Sequence, residues 1–332
     1  MIENLTQEKV WGFIQLGDED FDLEGLRKKF DIDAESSVFY QAIHRFLAEK
    51  KLRRLGRGRY HRVKQVLPVR VFIPGRERRP IVELFFPQDR TTGMEIEIAD
   101  KFVIREGDLI TIGGVKNKSK TALCLNLCAA NIDKNPVLMG NEYTVFTEGK
   151  YEPAPRFLNR LDQMSEWVNW TDEEGYDKFT LLPIKEDYAE HIVKDRINII
   201  DWINLDANQL YDVGKVLEGI KSNLGRGVAI VALQKSDKST DPRGGQFAKD
   251  FSDIMLTLDG YGDMDGDILM TIGEVKEKRS PISGKTFAYS IASEGTEIIN
   301  FREVKKCSEC RGSGYTRNGQ CENCQGRKFV DK

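Results

Sequence analysis

The chain has 332 residues, of which 40% are hydrophobic and 31% charged, and a net charge of -3. That length suits two or three units with a real core, and so small a charge imbalance excludes attraction to nucleic acid or membrane by overall charge alone. No segment reaches the roughly 18–20 apolar residues of a bilayer span, and the opening Met1-Ile2-Glu3-Asn4 is not a secretory leader, so a cytoplasmic, reducing setting is expected.

Charge is nonetheless uneven. Residues 1–65 read as three helices and a hairpin. The first helix falls near 6–16. The second starts after Asp22, a good cap, with Leu23, Leu26 and Phe30 on one face. The third follows Asp33, with Val38, Phe39, Ala42, Ile43, Phe46 and Leu47 at helical spacing. Residues 52–63 then alternate around a Gly56-Arg57-Gly58 turn. Between Arg45 and Arg79 only Glu49 and Glu77 oppose a run of basic residues, a local nucleic-acid signal. The order resembles a winged helix-turn-helix domain with the hairpin as wing, which implies DNA contact through Tyr40, Arg45, Arg57 and Arg59. A small packing or oligomerisation domain is the alternative, and Asp31, Asp33 and Glu35 oppose close phosphate contact at the start of helix three.

Residues 66–94 contain Pro68, Pro74, Pro80 and Pro87 and read as a connector. Residues 95–304 alternate strand and helix, with strands at 109–112, 137–139, 197–200, 228–233, 254–258, 268–274 and 287–291. The expected class is α/β with a mostly parallel sheet.

The stretch from Gly107 to Leu127 carries the most chemistry. An apolar strand runs into a loop begun by Gly114, and Lys120-Thr121 open a helix. Backbone N–H groups of Gly114, Val115, Lys116, Asn117, Lys118, Ser119, Lys120, Thr121 and Ala122 are expected to cradle the phosphates of ATP. Lys120 would hold the outer phosphates and Thr121 the Mg²⁺. Ser119 stands where this pattern has glycine, so its Cβ restricts the backbone and hydrolysis is a separate question from binding.

Three further strands end in polar residues. Residues 196–201 finish in Asp201, suited to the Mg²⁺ shell. Residues 137–142 deliver Glu142 as candidate general base, with Glu148 as alternative. Residues 227–234 end in Gln234, a candidate γ-phosphate sensor. The basic loop after it, with Lys238, Arg243 and Lys249, suits single-stranded DNA or is an ordinary mobile loop.

In that order, with Asp253-Ile-Met-Leu256 and Glu274-Val-Lys-Glu-Lys-Arg-Ser-Pro-Ile-Ser-Gly284 following, these motifs resemble the RecA-like core of DnaB-type replicative helicases over about residues 95–300. The resemblance implies a homo-oligomeric ring or filament with ATP between protomers and single-stranded DNA at its centre. It also implies that Lys276, Lys278 or Arg279 reaches a neighbour's ATP. Here Lys278 stands where that family has the arginine finger, and Arg279 is one residue beyond it.

The last segment, 305–332, holds Cys307, Cys310, Cys321 and Cys324 as two C-x-x-C pairs ten residues apart, a closed Zn²⁺ complement. Its first half resembles the Cys-x-x-Cys-x-Gly-x-Gly repeat of DnaJ-like zinc modules, and a zinc staple for a tail too short to fold alone is equally compatible. Cys124 and Cys128, one turn apart, read as core residues.

The expected protein is therefore an ATP-driven DNA-binding motor: a helicase or helicase-like ATPase of replication or recombination, partnered by DNA and by proteins of those processes, with no membrane partner. The alternatives are a recombinase or recombination mediator, and a non-hydrolysing, nucleotide-switched DNA-binding regulator or loader.

Overall fold

The computed structural model describes residues 5–64, 68, 72, 80–96, 98–140, 142–203, 212–236, 239, 241–262 and 267–332. The chain divides into two compact units, Met1–Arg76 and Glu77–Lys332.

The first unit runs α1 (Gln7–Gln15), β1 (Asp20–Asp22), α2 (Leu23–Lys29), α3 (Ser37–Ala48), β2 (Leu52–Gly56) and β3 (Arg59–Arg62). Each helix begins at a side-chain cap. Thr6, Asp22 and Ser36 accept from the N–H groups of Lys9, Gly25 and Phe39. Helix α3 starts later than Asp33 because Asp33 Oδ1 instead accepts from the Glu35 N–H at 3.0 Å, a local turn that competes with helix. The alternating residues 52–63 do form a hairpin, and β1 joins it as a third strand in the order β1-β3-β2. Three residues are too few to announce β1 by periodicity. Val10, Ile14, Leu26, Phe39, Ile43 and Phe46 close the core.

The second unit begins with a short hairpin, β4 (Gln88–Asp89) and β5 (Met94–Glu95). It continues β6 (Leu109–Gly114), α4 (Lys120–Ala130), β7 (Val137–Gly140), β8 (Thr144–Thr147), β9 (Lys150–Pro153), α5 (Pro155–Met164), β10 (Thr180–Leu182), β11 (Ile197–Ile203), α6 (Val213–Asn223) and β12 (Val228–Gln234). Then come α7 (Gln246–Phe251), β13 (Ile254–Gly260), β14 (Asp267–Val275), β15 (Thr286–Ala292), β16 (Glu297–Lys306), β17 (Tyr315–Thr316), β18 (Gly319–Gln320) and β19 (Phe329–Asp331).

One ten-stranded sheet organises this unit, in the order β10-β7-β11-β12-β6-β13-β14-β15-β16-β19. From β10 through β13 neighbours are parallel, and from β13 onward they are antiparallel. This is the α/β class expected, with β6 inside the parallel part of the sheet. The parallel strands are covered on both faces, so they read as continuous apolar runs. Helix α4 is buried nearly all round, which accounts for Cys124 and Cys128 as core side chains. Burial pushes the Cys128 thiol up to about 12.

Residues 80–94, expected as connector, send Leu84 and Phe86 into the main core. The cysteine segment is a loop of the sheet's edge: β16 leads into it, and β19 returns to pair with β16 through Lys305↔Val330. Among the described residues no helix is long and apolar enough to cross a membrane.

Candidate nucleotide site

Four parallel strands end side by side, and each delivers one expected residue. The register sets Gln234 opposite Gly114 and Asp201 opposite Gly140, so β6, β12, β11 and β7 bring the loop after Gly114, then Gln234, Asp201 and Glu142, to the carboxyl edge of the sheet. Ligands of open α/β sheets bind at such an edge, where strand direction and following helices leave a crevice. Here a cavity of about 700 Å³ is lined by the loop residues Lys116 to Ala122 and by Glu142, Trp202 and Gln234. That volume is in the range of small-molecule and cofactor sites.

The loop itself is shaped by left-handed residues. Asn117 has φ 61° and Ser119 φ 49°. Lys120 is buried, and its Nζ donates to the carbonyls of Gly114 and Val115 at 3.0 and 2.8 Å. Burial lowers its pKa, and the nearby Asp201 carboxylate opposes that shift.

Asp201 is 1% exposed. Its Oδ2 accepts from the Tyr143 hydroxyl at 2.7 Å, the Thr121 side chain also hydrogen-bonds it, and its Oδ1 is buried with no hydrogen-bond partner. Burial raises its pKa despite these bonds. Burial and the neighbouring Asp201 raise that of Tyr143 as well, so the phenol keeps its proton and donates. A buried carboxylate with one bare oxygen beside a threonine hydroxyl suits a hard divalent cation. Thr121 and Asp201 therefore fit Mg²⁺. Close approach is built in at Gly140, where any Cβ would come within 2.0 Å of the Asp201 carbonyl oxygen and 2.8 Å of the Tyr143 ring. Glu142 is exposed at the cavity wall.

The loop after β12 is fastened to the site at its root. The Lys235 N–H donates to the Gly114 carbonyl at 2.9 Å, and the buried Lys235 ammonium pairs with Asp259 on β13. Gly113 leaves room for Pro242, which a Cβ there would meet at 2.9 Å. Farther along the loop, Arg243 is exposed, whereas Lys249 is paired with Asp241 at 2.8 Å. Lys238 lies outside the described residues.

Lys276, Lys278 and Arg279 are not brought to this chain's own cavity. Lys276 pairs at 3.1 Å with Asp253, whose other oxygen accepts from the N–H of Leu109, the first residue of β6. That is the amino-terminal end of the strand whose far end holds the loop. Lys278 and Arg279 are exposed next to Phe102 and Lys101.

Six lining residues are not singled out by the sequence: Arg156, Arg160, Trp202, Ile268, Ile291 and Gly295. Arg156 and Arg160 lie one helical turn apart on α5, and both line the cavity, while Phe157 and Met164 bury the helix's other face. Their spacing after Pro155 is the signal that points to them. Trp202, Ile268, Ile291 and Gly295 carry no such signal.

In the first unit, Tyr40, Arg57 and Arg59 are exposed. Arg45 is engaged within the unit by Gln7 and Glu49, both at 2.7 Å.

At the carboxyl end, the Sγ atoms of Cys307, Cys310, Cys321 and Cys324 all lie within 4.8 Å of one another. The pairs Cys307–Cys321 and Cys310–Cys324 are 3.7 and 3.6 Å apart. Four thiolates at a Zn–S bond of about 2.3 Å in a tetrahedron stand about 3.8 Å apart, so this cluster fits Zn²⁺.

No family model matches the chain, and no curated protein matches it. Among solved structures it is similar to a RadB recombinase, at 17% identity over 59% of this chain and 92% of that one, with a TM-score of 0.43. It is also similar to a KaiC-like protein of the hyperthermophilic archaeon Pyrococcus horikoshii OT3, at 15% identity over 67% of this chain and 99% of that one, with a TM-score of 0.43.

Proposed function

We propose that the chain is an ATP-hydrolysing motor of the RecA-like class that acts on DNA, a helicase or helicase-like ATPase of replication or recombination. The observation that carries this is the convergence of Lys120, Thr121, Glu142 and Gln234 on one cavity at the sheet edge, with the buried Asp201 behind Thr121.

The loop N–H groups and Lys120 bind the phosphates, and Arg156 and Arg160 face them from α5. Asp201 and Thr121 hold Mg²⁺, which when bound neutralises charge on the phosphate oxygens. Glu142 accepts the proton of the attacking water. Gln234 reads the γ-phosphate and passes its presence to the loop that begins at Lys235. Lys276, Lys278 or Arg279 acts on the neighbouring protomer's nucleotide in a ring or filament, which their distance from this chain's own cavity suits.

The test is ATP turnover by the full chain with and without single-stranded DNA, beside Lys120→Ala and Glu142→Gln. Turnover stimulated by DNA and lost in both variants is expected, with nucleotide binding kept in Glu142→Gln. Binding without turnover, even with DNA present, would replace the motor by a nucleotide switch, a reading that Ser119 keeps in play. Unwinding of a forked duplex then selects the helicase, and strand exchange without unwinding selects a recombinase or mediator.

The first unit is proposed as a winged helix that binds DNA through the exposed Arg57 and Arg59 of its wing. Replacing both by alanine is expected to weaken duplex binding about equally across sequences. It should also reduce the slope of log affinity against log salt by about 2, one for the phosphate that each arginine neutralises. An unchanged slope in titrations from low to moderate salt would leave this unit as a packing domain.

A further inference from the structure

The loop residue that breaks the glycine pattern has a partner. Ser119 is left-handed, at φ 49° and ψ 16°, a conformation that L-residues other than glycine rarely hold without support. Its hydroxyl lies 2.9 Å from the hydroxyl of Tyr289. Tyr289 is on β15, which is separated from β6 in the sheet by β13 and β14, and it is 2% exposed. Its ring stacks with Phe301 of β16, at 6.2 Å between centroids, and Phe301 stacks in turn with Phe287. The phenol therefore cannot swing away, and burial keeps it protonated.

We infer that Tyr289 is a positioning residue for the phosphate loop, holding Ser119 in the left-handed conformation that glycine would adopt unaided. This rests on the nucleotide reading of the loop. Without the tether, Ser119 has a penalty for the left-handed basin and nothing to offset it. The loop then populates other conformations, and its N–H groups no longer converge. With glycine at 119 the basin is open without help, and the tether has nothing to hold.

The consequence is a specific dependence between two positions, measured by titrating the full-length protein with MgATP. Tyr289→Phe, which keeps the ring and its stacking, is expected to weaken ATP binding about fivefold, the size of one net hydrogen bond. Ser119→Ala, which keeps the Cβ and removes the hydroxyl, should do the same. Whatever the affinity of Ser119→Gly itself, adding Tyr289→Phe to it should change nothing further, because glycine needs no tether. A tyrosine with a merely structural role would weaken both backgrounds alike, and that additivity overturns the inference. So does an unaltered affinity in Tyr289→Phe. If the parent protein binds no ATP, the nucleotide reading falls and this inference with it. If the parent binds and the two positions act independently, only this inference falls.

Discussion

Asp201→Asn is expected to abolish Mg²⁺-dependent ATP turnover while making the folded protein more stable. The two effects share one cause. Asp201 is a buried carboxylate with an unpartnered oxygen, held by Tyr143 behind Thr121, which lines the cavity. Desolvation of that charge is unfavourable, and the role proposed for it is to hold Mg²⁺. An amide of the same shape removes the charge and leaves an acceptor for Tyr143. The expected loss of turnover is about 10²–10³-fold, typical of removing a group that stabilises charge in the transition state. The expected gain in unfolding free energy is about 1 kcal/mol, within what relaxing a strained functional site commonly yields. Both are read on one preparation, by steady-state hydrolysis and by urea unfolding followed through tryptophan fluorescence. The pH dependence has a definite sign. Because burial raises the folded-state pKa of Asp201, the folded state binds this proton more tightly than the unfolded chain. The unfavourable contribution is fully present above the raised pKa and fades as pH falls through it toward the ordinary carboxylate range. The parent should therefore gain on Asp201→Asn in stability as pH is lowered through that window, and the gap between them should close. A variant that is destabilised at neutral pH would show that Asp201 is held by more than its visible partners.

How far the sequence disclosed this site depends on where each residue's information lies. The apolar strands and the residues that end them were legible because a buried parallel strand is a continuous apolar run, and its carboxyl end is marked by the first polar side chain. Gln234 stands at such an end, whereas β11 runs two residues past Asp201 to Ile203, so the strand read as ending in Asp201 is longer than its apolar run; β6 leads directly into the loop. Order along the chain could not show which strands become neighbours. Only pairing puts Asp201 beside Gly140 and Gln234 beside Gly114. Tyr143 was illegible for a different reason. A tyrosine after a glutamate in a loop is an ordinary residue until its ring fills the space that Gly140 leaves open. Tyr289 likewise looked like one more strand aromatic, and its meaning appears only when β15 places its hydroxyl against Ser119. Arg156 and Arg160 were legible in principle, as a pair one turn apart on a helix whose other face is apolar. The short strands β1, β10 and β19 were not, since three residues carry no usable period.

Removing zinc from the carboxyl-terminal segment is expected to unfold it locally while the main sheet persists. The four cysteines and the partly buried Val330 are the whole of its core, far too little apolar surface to offset the ordering of residues 307–328. Structural zinc sites supply on the order of 10 kcal/mol at neutral pH, which is the scale needed. The parent protein should hold one zinc per chain by elemental analysis, and Cys310→Ser should lose it. In hydrogen exchange, amides of 307–328 should become unprotected in the variant or after chelation. Protection should also fall at β19, because its pairing with β16 and the Cys307 N–H bond to the Lys328 carbonyl at 3.0 Å both depend on the segment closing on itself. Strands β6 and β12 should keep their protection, since β13, β14 and β15 stand between them and this edge. The same unfolding should release Arg327 from the Tyr261 ring, 5.8 Å from it in the closed form. Tyr261 begins the turn after β13, and Gly260 just before it leaves space that the Lys118 side chain of the phosphate loop approaches. If zinc were only a staple at the edge, nucleotide affinity would be unchanged by chelation. A fall in affinity together with release of Arg327 from Tyr261 would make the segment a structural support of the nucleotide site. Full protection of 307–328 without metal would exclude zinc as the core of this segment altogether.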